Sequence, residues 1–78
     1  MSSVRVRLQY PLQRVAAPVV THLVRDFDVS PNVLAGNIDA HKGGWLQLTL
    51  TGDAPRVERA LAWVREQGIE VTVEDGAA

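Results

Sequence analysis

The chain has 78 residues, enough for one domain and too few for two separate cores. An apolar content of 46% and a charged content of 22% are those of a folded globular protein, and a net charge of -1 gives no general attraction for nucleic acid or an anionic membrane. The absence of cysteine excludes a disulfide framework, a thiolate metal site, a Cys-bound iron–sulfur cluster and a thiol redox centre.

From Val4 to Tyr10 apolar and polar residues alternate, setting Val4, Val6, Leu8 and Tyr10 on one face and Arg5, Arg7 and Gln9 on the other, as in a half-buried strand. After Pro11, the residues Val15, Val19, Val20, Leu23, Val24 and Phe27 recur at spacings of three and four and predict one apolar helical stripe, with Pro18 in the first turn. The residues from Asp28 to Pro31 end that helix, and an extended segment is expected from about Asn32 to His41. Lys42-Gly43-Gly44 then reads as a hairpin turn into a strand from Trp45 to Thr51, with Leu46, Leu48 and Leu50 inward and Trp45, Gln47, Thr49 and Thr51 outward.

Asp53 stands where a side chain caps a helix start, Pro55 falls in the first turn, and Val57, Ala60, Leu61 and Val64 form the buried stripe. Gly68 is a left-handed cap, after which Ile69, Val71 and Val73 alternate with Glu70, Thr72 and Glu74 in a last strand; residues from Glu74 to Ala78 are expected to fray. The order predicts an α+β, ferredoxin-like βαββαβ sandwich: a four-stranded antiparallel sheet, order 4-1-3-2, with two helices on one face. One domain is expected over residues 1–78, its core from about residue 4 to 74. Outward Arg5 and Arg7 should then lie beside Glu70 and Glu74.

Few residues suggest chemistry. The carboxylates expected beside Arg5 and Arg7, and the lack of paired aromatics on that face, argue against RNA binding. His22 and Asp26 are spaced to share a metal on a helix, but two ligands do not make a site, and Ser2, Ser3 and Ser30 have no evident base. Gly43-Gly44 lacks the Lys-Ser/Thr and helix start of a phosphate loop. Trp63 reads as a half-buried core edge, whereas Trp45 points to the open face, as an interface anchor or a locally covered side chain. The expectation is therefore a non-enzymatic protein with no cofactor and no metal. Met1-Ser2-Ser3 leads directly into the alternating segment and no run nears the roughly 18 apolar residues of a membrane span, so neither targeting nor membrane insertion is expected, and the expected location is cytoplasmic. A domain of this size is marginal alone, which favours a homodimer.

The segment Asn32-Val33-Leu34-Ala35-Gly36-Asn37-Ile38-Asp39 breaks the local pattern, because Asn and Gly are depleted in strands and Gly there marks a bulge or a close approach. With the glycine turn, Leu46-Gln47-Leu48-Thr49-Leu50-Thr51-Gly52 and Gly68-Ile69-Glu70-Val71, it resembles the NIL domain, from Val4 to Val73. Val33 stands where Ile is usual. The resemblance implies a regulatory domain, familiar as the C-terminal part of methionine-importer ATP-binding subunits and attached to some iron–sulfur proteins, in which paired domains bind methionine at their interface. With neither an ATPase cassette nor cysteines in this sequence, transport and electron transfer do not carry over.

On that resemblance the ligand-binding set is Asn32, Val33, Leu34, Gly36, Asn37 and Ile38. Asn32 would meet an amino-acid head group or else bond the loop at Pro31; Leu34 and Ile38 would line an apolar slot or else belong to the core. Gly36 would admit a close approach, and Asn37 would add a second amide or satisfy a bulged backbone. The implied partners are methionine or a related sulfur amino acid, a second copy of the chain, and a transporter or sulfur-metabolism protein. The alternative function is a non-catalytic adaptor module.

Overall fold

The computed structural model describes residues 1–15 and 17–76. They form β1 (Ser2–Tyr10), a short 3-10 turn (Leu12–Arg14), α1 (Val19–Phe27), β2 (Ser30–Asp39), β3 (Gly43–Gly52), α2 (Ala54–Glu66) and β4 (Glu70–Gly76). The strands make one sheet in the order β2-β3-β1-β4 with every neighbouring pair antiparallel, the expected topology read from its other edge. Val6, Leu8 and Tyr10 from β1, Leu48 and Leu50 from β3 and Ile69 before β4 bury one sheet face against Val19 and Leu23 of α1 and Val57, Ala60, Leu61 and Val64 of α2.

Local chemistry adjusts several expected boundaries. Helix α1 starts only at Val19, because Pro18 lacks an N–H and restricts the residue before it. Val15 therefore packs against the core from the segment after the 3-10 turn, outside the helix, and Val24 is half exposed. Asp28 ends α1 in the left-handed region at φ 54°, which Asp tolerates better than most residues. Strand β2 begins two residues earlier than expected, at Ser30, and stops at Asp39, whose Oδ1 accepts the His41 backbone N–H at 2.7 Å in an Asx turn.

Asp53 occupies the cap position of α2, but its side chain makes no capping hydrogen bond. Its backbone carbonyl accepts the Val57 N–H at 2.9 Å, while its carboxylate lies 3.8 Å from the Arg56 Nε. Arg56 Nη1 also donates to Asp28 Oδ2 at 2.7 Å, linking the start of α2 to the end of α1. Gly68 has φ 82°, the left-handed conformation expected after α2.

Strand β4 does not fray at Glu74. Asp75 pairs with Arg5 and Gly76 with Val4, past a register shift that leaves Glu74 as the extra residue; residues 77–78 lie outside the described residues. The register, with this shift at its end, gives a different charge pairing from the one expected. Glu74 Oε1 accepts from Gln47 Nε2 at 2.7 Å, reaching across β1, and lies 4.0 Å from Arg5 Nε. Glu70 sits opposite Gln9, and Arg7 stands over the Trp45 ring, 4.1 Å from its centroid, so the second expected Arg–Glu pair does not form. Val73 faces buried Val6 but remains half exposed on its edge strand.

Candidate functional site

Strand β2 is a sheet edge, bonded only to β3. Its register runs regularly from Ser30 opposite Thr51 to Val33 opposite Leu48, shifts at Leu34, and resumes with Ala35 opposite Gln47. The bulge therefore falls at Leu34, two residues before the glycine. An extra residue reverses the alternation beyond it. Asn32, opposite Thr49, and Asn37, opposite Trp45, thereby share the open face although they are an odd number of residues apart, while Val33, Gly36 and Ile38 share the helix side.

Val33, Leu34 and Ile38 are 52%, 48% and 45% exposed, so none belongs to the core, and Leu34 and Ile38 sit on an uncovered edge. Among the described residues the Asn32 amide has no hydrogen bond to the Pro31 segment. Gly36 is closely approached by its own neighbour: a Cβ there would lie 2.8 Å from Leu46 Cδ1 and 3.1 Å from the Trp45 carbonyl oxygen. β2 thus offers two amides on one face and three apolar side chains around its edge.

A different feature escaped the sequence reading. An open cleft of about 360 Å³ is lined by Gln9, Tyr10, Pro11, Lys42, Gly68 and Glu70, at the end of the sheet that holds the hairpin. Three separate chain segments build it, so no local motif marks it; the only trace in the sequence is the pairing of Gln9 with Glu70 and of Tyr10 with Gly44 once the strand register is known. Burial raises the Tyr10 pKa above 10.0. The neutral phenol is thus favoured by folding, and this contribution is intact below about pH 10 and is lost as pH rises through the higher folded value. Phenolate absorbance during an alkaline titration should show Tyr10 ionising above the unfolded chain's tyrosine, with stability falling in that window; ionisation at the unfolded value would contradict its burial.

On α1, His22 Nδ1 lies 2.8 Å from Asp26 Oδ2, and Arg25 Nε donates to Asp26 Oδ1 at 3.1 Å. The Arg25 hydrogen bond first, and His22 next, hold the Asp26 carboxyl below its ordinary range. His22 also packs against Trp63 with the rings tilted by 46°, centroids 5.2 Å apart, and Trp63 packs half-buried against the core. Among the described residues no three His, Cys, Asp or Glu side chains come together as a metal site, and no helix is long and apolar enough to cross a membrane.

The NIL domain family matches residues 4–73. The methionine import ATP-binding protein MetN of Helicobacter hepaticus is 37% identical over 57 residues, covering 69% of this chain and 16% of that protein. MetN of Halalkalibacterium halodurans is 32% identical over 75 residues, covering 92% of this chain and 22% of its own length. The chain thus spans about a fifth of the relatives it matches. Among solved structures, the C-terminal domain of an ABC transporter ATP-binding protein from Enterococcus faecalis superposes with a TM-score of 0.82 at 24% identity, covering 91% of this chain and 82% of that one, a likeness of fold. Fold, strand order and the matched residues converge: the chain belongs to the NIL domain family.

Proposed function

We propose that this chain is a small-ligand-sensing regulatory module that pairs with a second copy of itself and takes methionine or a related sulfur amino acid along β2. The observation that carries this reading is the bulged edge strand, which gathers Asn32 and Asn37 on one face and leaves Val33, Leu34 and Ile38 uncovered. Amides both donate and accept, as an amino-acid head group requires, and the apolar side chains suit a thioether. Gly36, between these groups, takes the close approach of the Leu46 side chain and the Trp45 carbonyl that a larger residue would obstruct. Relatives named as methionine import ATP-binding proteins support the ligand class. The setting would be the cytoplasm, beside a transporter or a sulfur-metabolism protein, and the module itself would carry no catalysis.

Calorimetric titration with methionine should give saturable heat and a thermal upshift, and Asn32→Ala should weaken the β2 component by about tenfold or more. No heat and no shift from the unaltered chain at millimolar methionine would overturn ligand sensing. The second reading, a non-catalytic adaptor, rests on Trp45, which stays partly exposed on the open face although Arg7 covers one side of its ring at 4.1 Å from the centroid.

A further inference from the structure

The cleft beside the hairpin carries charges that the fold does not use. Lys42, on the turn between β2 and β3, and Glu70, at the start of β4, both line it, and neither forms an ion pair among the described residues. Between them the cleft is walled by Tyr10 and Pro11, and Gln9 is anchored by donating from Nε2 to the Gly44 carbonyl at 3.2 Å. Gly68 leaves one wall without a side chain, since a Cβ there would meet only the far end of Arg14, at 3.9 Å. The volume of about 360 Å³ lies at the small end of the range for ligand clefts, about 300 to 1,000 Å³.

Lys42 and Glu70, with Arg14 near the Gly68 wall, give one small cleft charges of both signs, which are complementary to a molecule that carries both. We propose that this cleft is a second ligand site, taking a free α-amino acid whose carboxylate meets Lys42 and whose ammonium meets Glu70, with its side chain against Tyr10 and Pro11. Charge-assisted hydrogen bonds of this kind are about twice as strong as neutral ones, and requiring two of opposite sign discriminates against simple anions and simple amines. The site is distinct from the Asn32 end of β2. Asn32 pairs with Thr49, six residues along β3 from Gly43 and so roughly 20 Å from the hairpin end.

The test is an NMR titration of the ¹⁵N-labelled chain with L-alanine, N-acetyl-L-alanine and L-alaninamide, the last two lacking the ammonium and the carboxylate respectively. L-Alanine should shift the backbone amides of Gln9, Lys42, Gly68 and Glu70 saturably. Both analogues, and L-alanine with Lys42→Met or Glu70→Gln, should bind at least about tenfold more weakly. Asn32→Ala should leave these shifts unchanged, so failure here and failure of methionine sensing on β2 are separable. No saturable shift at these amides, equal shifts with all three compounds, or binding retained in both charge variants would overturn the proposal. Lys42 and Glu70 are exposed, and matching thermal midpoints for the variants will confirm that the fold is intact.

Discussion

Leu48→Ala should lower the free energy of unfolding by about 3 kcal/mol, within the 2 to 5 usual for emptying a buried leucine site. Leu48 is fully buried on β3 between Val6 of β1 and Val33 of β2, and the core around it comes from both helices and three strands. A domain of this length has on the order of 4 to 12 kcal/mol in total, so the loss is a large share of it. In urea the midpoint should fall with the slope unchanged, and the thermal midpoint should drop by roughly 12 to 24 °C. Val24→Ala, on the half-exposed part of α1, is the control and should cost no more than about 0.5 kcal/mol. A cost below about 1 kcal/mol at Leu48 would mean that the helices do not enclose β3 as described.

Gly44→Ala should be at least as damaging, for a steric reason. Gly44 lies on β3 between Tyr10 of β1 and Ile38 of β2, and a Cβ there would press on the Asn37 carbonyl oxygen and lie 2.5 Å from the Ile38 Cα. These are backbone atoms of the neighbouring strand, so relief requires β2 to move away from β3. The expected cost is about 3 kcal/mol or more, with hydrogen-exchange protection lost first from the hairpin half of β2 and kept between β1 and β4. Gly36→Ala provides the contrast. Its nearest neighbour is the end of the Leu46 side chain, which can rotate aside, and the one tight backbone contact is the Trp45 carbonyl oxygen at 3.1 Å, so the cost should be about 1 to 2 kcal/mol. Equal effects at the two glycines would contradict the strand packing.

The large features were legible because hydrophobic period and turn chemistry agree along the chain. Alternation in β1 and β3, the Val57-Ala60-Leu61-Val64 stripe and the turn at Gly43-Gly44 each point to one element, and together they leave the observed sheet order. What was not legible depends on register. Arg7 stands opposite Thr72 in the regular part of the β1–β4 ladder, so no carboxylate faces it and it lies over Trp45, while the shift near Glu74 re-pairs only Arg5 and Val4, with Asp75 and Gly76. Asp53 had the right position for a cap, but Arg56 competes for its carboxylate. At the candidate site, the unusual composition of β2 was visible, whereas the facing of Asn32 with Asn37 depends on the bulge at Leu34. The cleft at Lys42 and Glu70 was invisible because its parts are distant in the chain.

That bulge has a consequence for how this strand can change length. Removing or adding a residue in an edge strand ordinarily turns every later side chain to the opposite face. In β2 the surplus residue is already set aside at Leu34, between the pairs Val33 with Leu48 and Ala35 with Gln47. A chain one residue shorter at this point would close into a continuous ladder with Asn32 and Asn37 still together and Gly36 still beneath Leu46. The segment that distinguishes this sequence is therefore also where a single-residue deletion does least to rearrange its two amides.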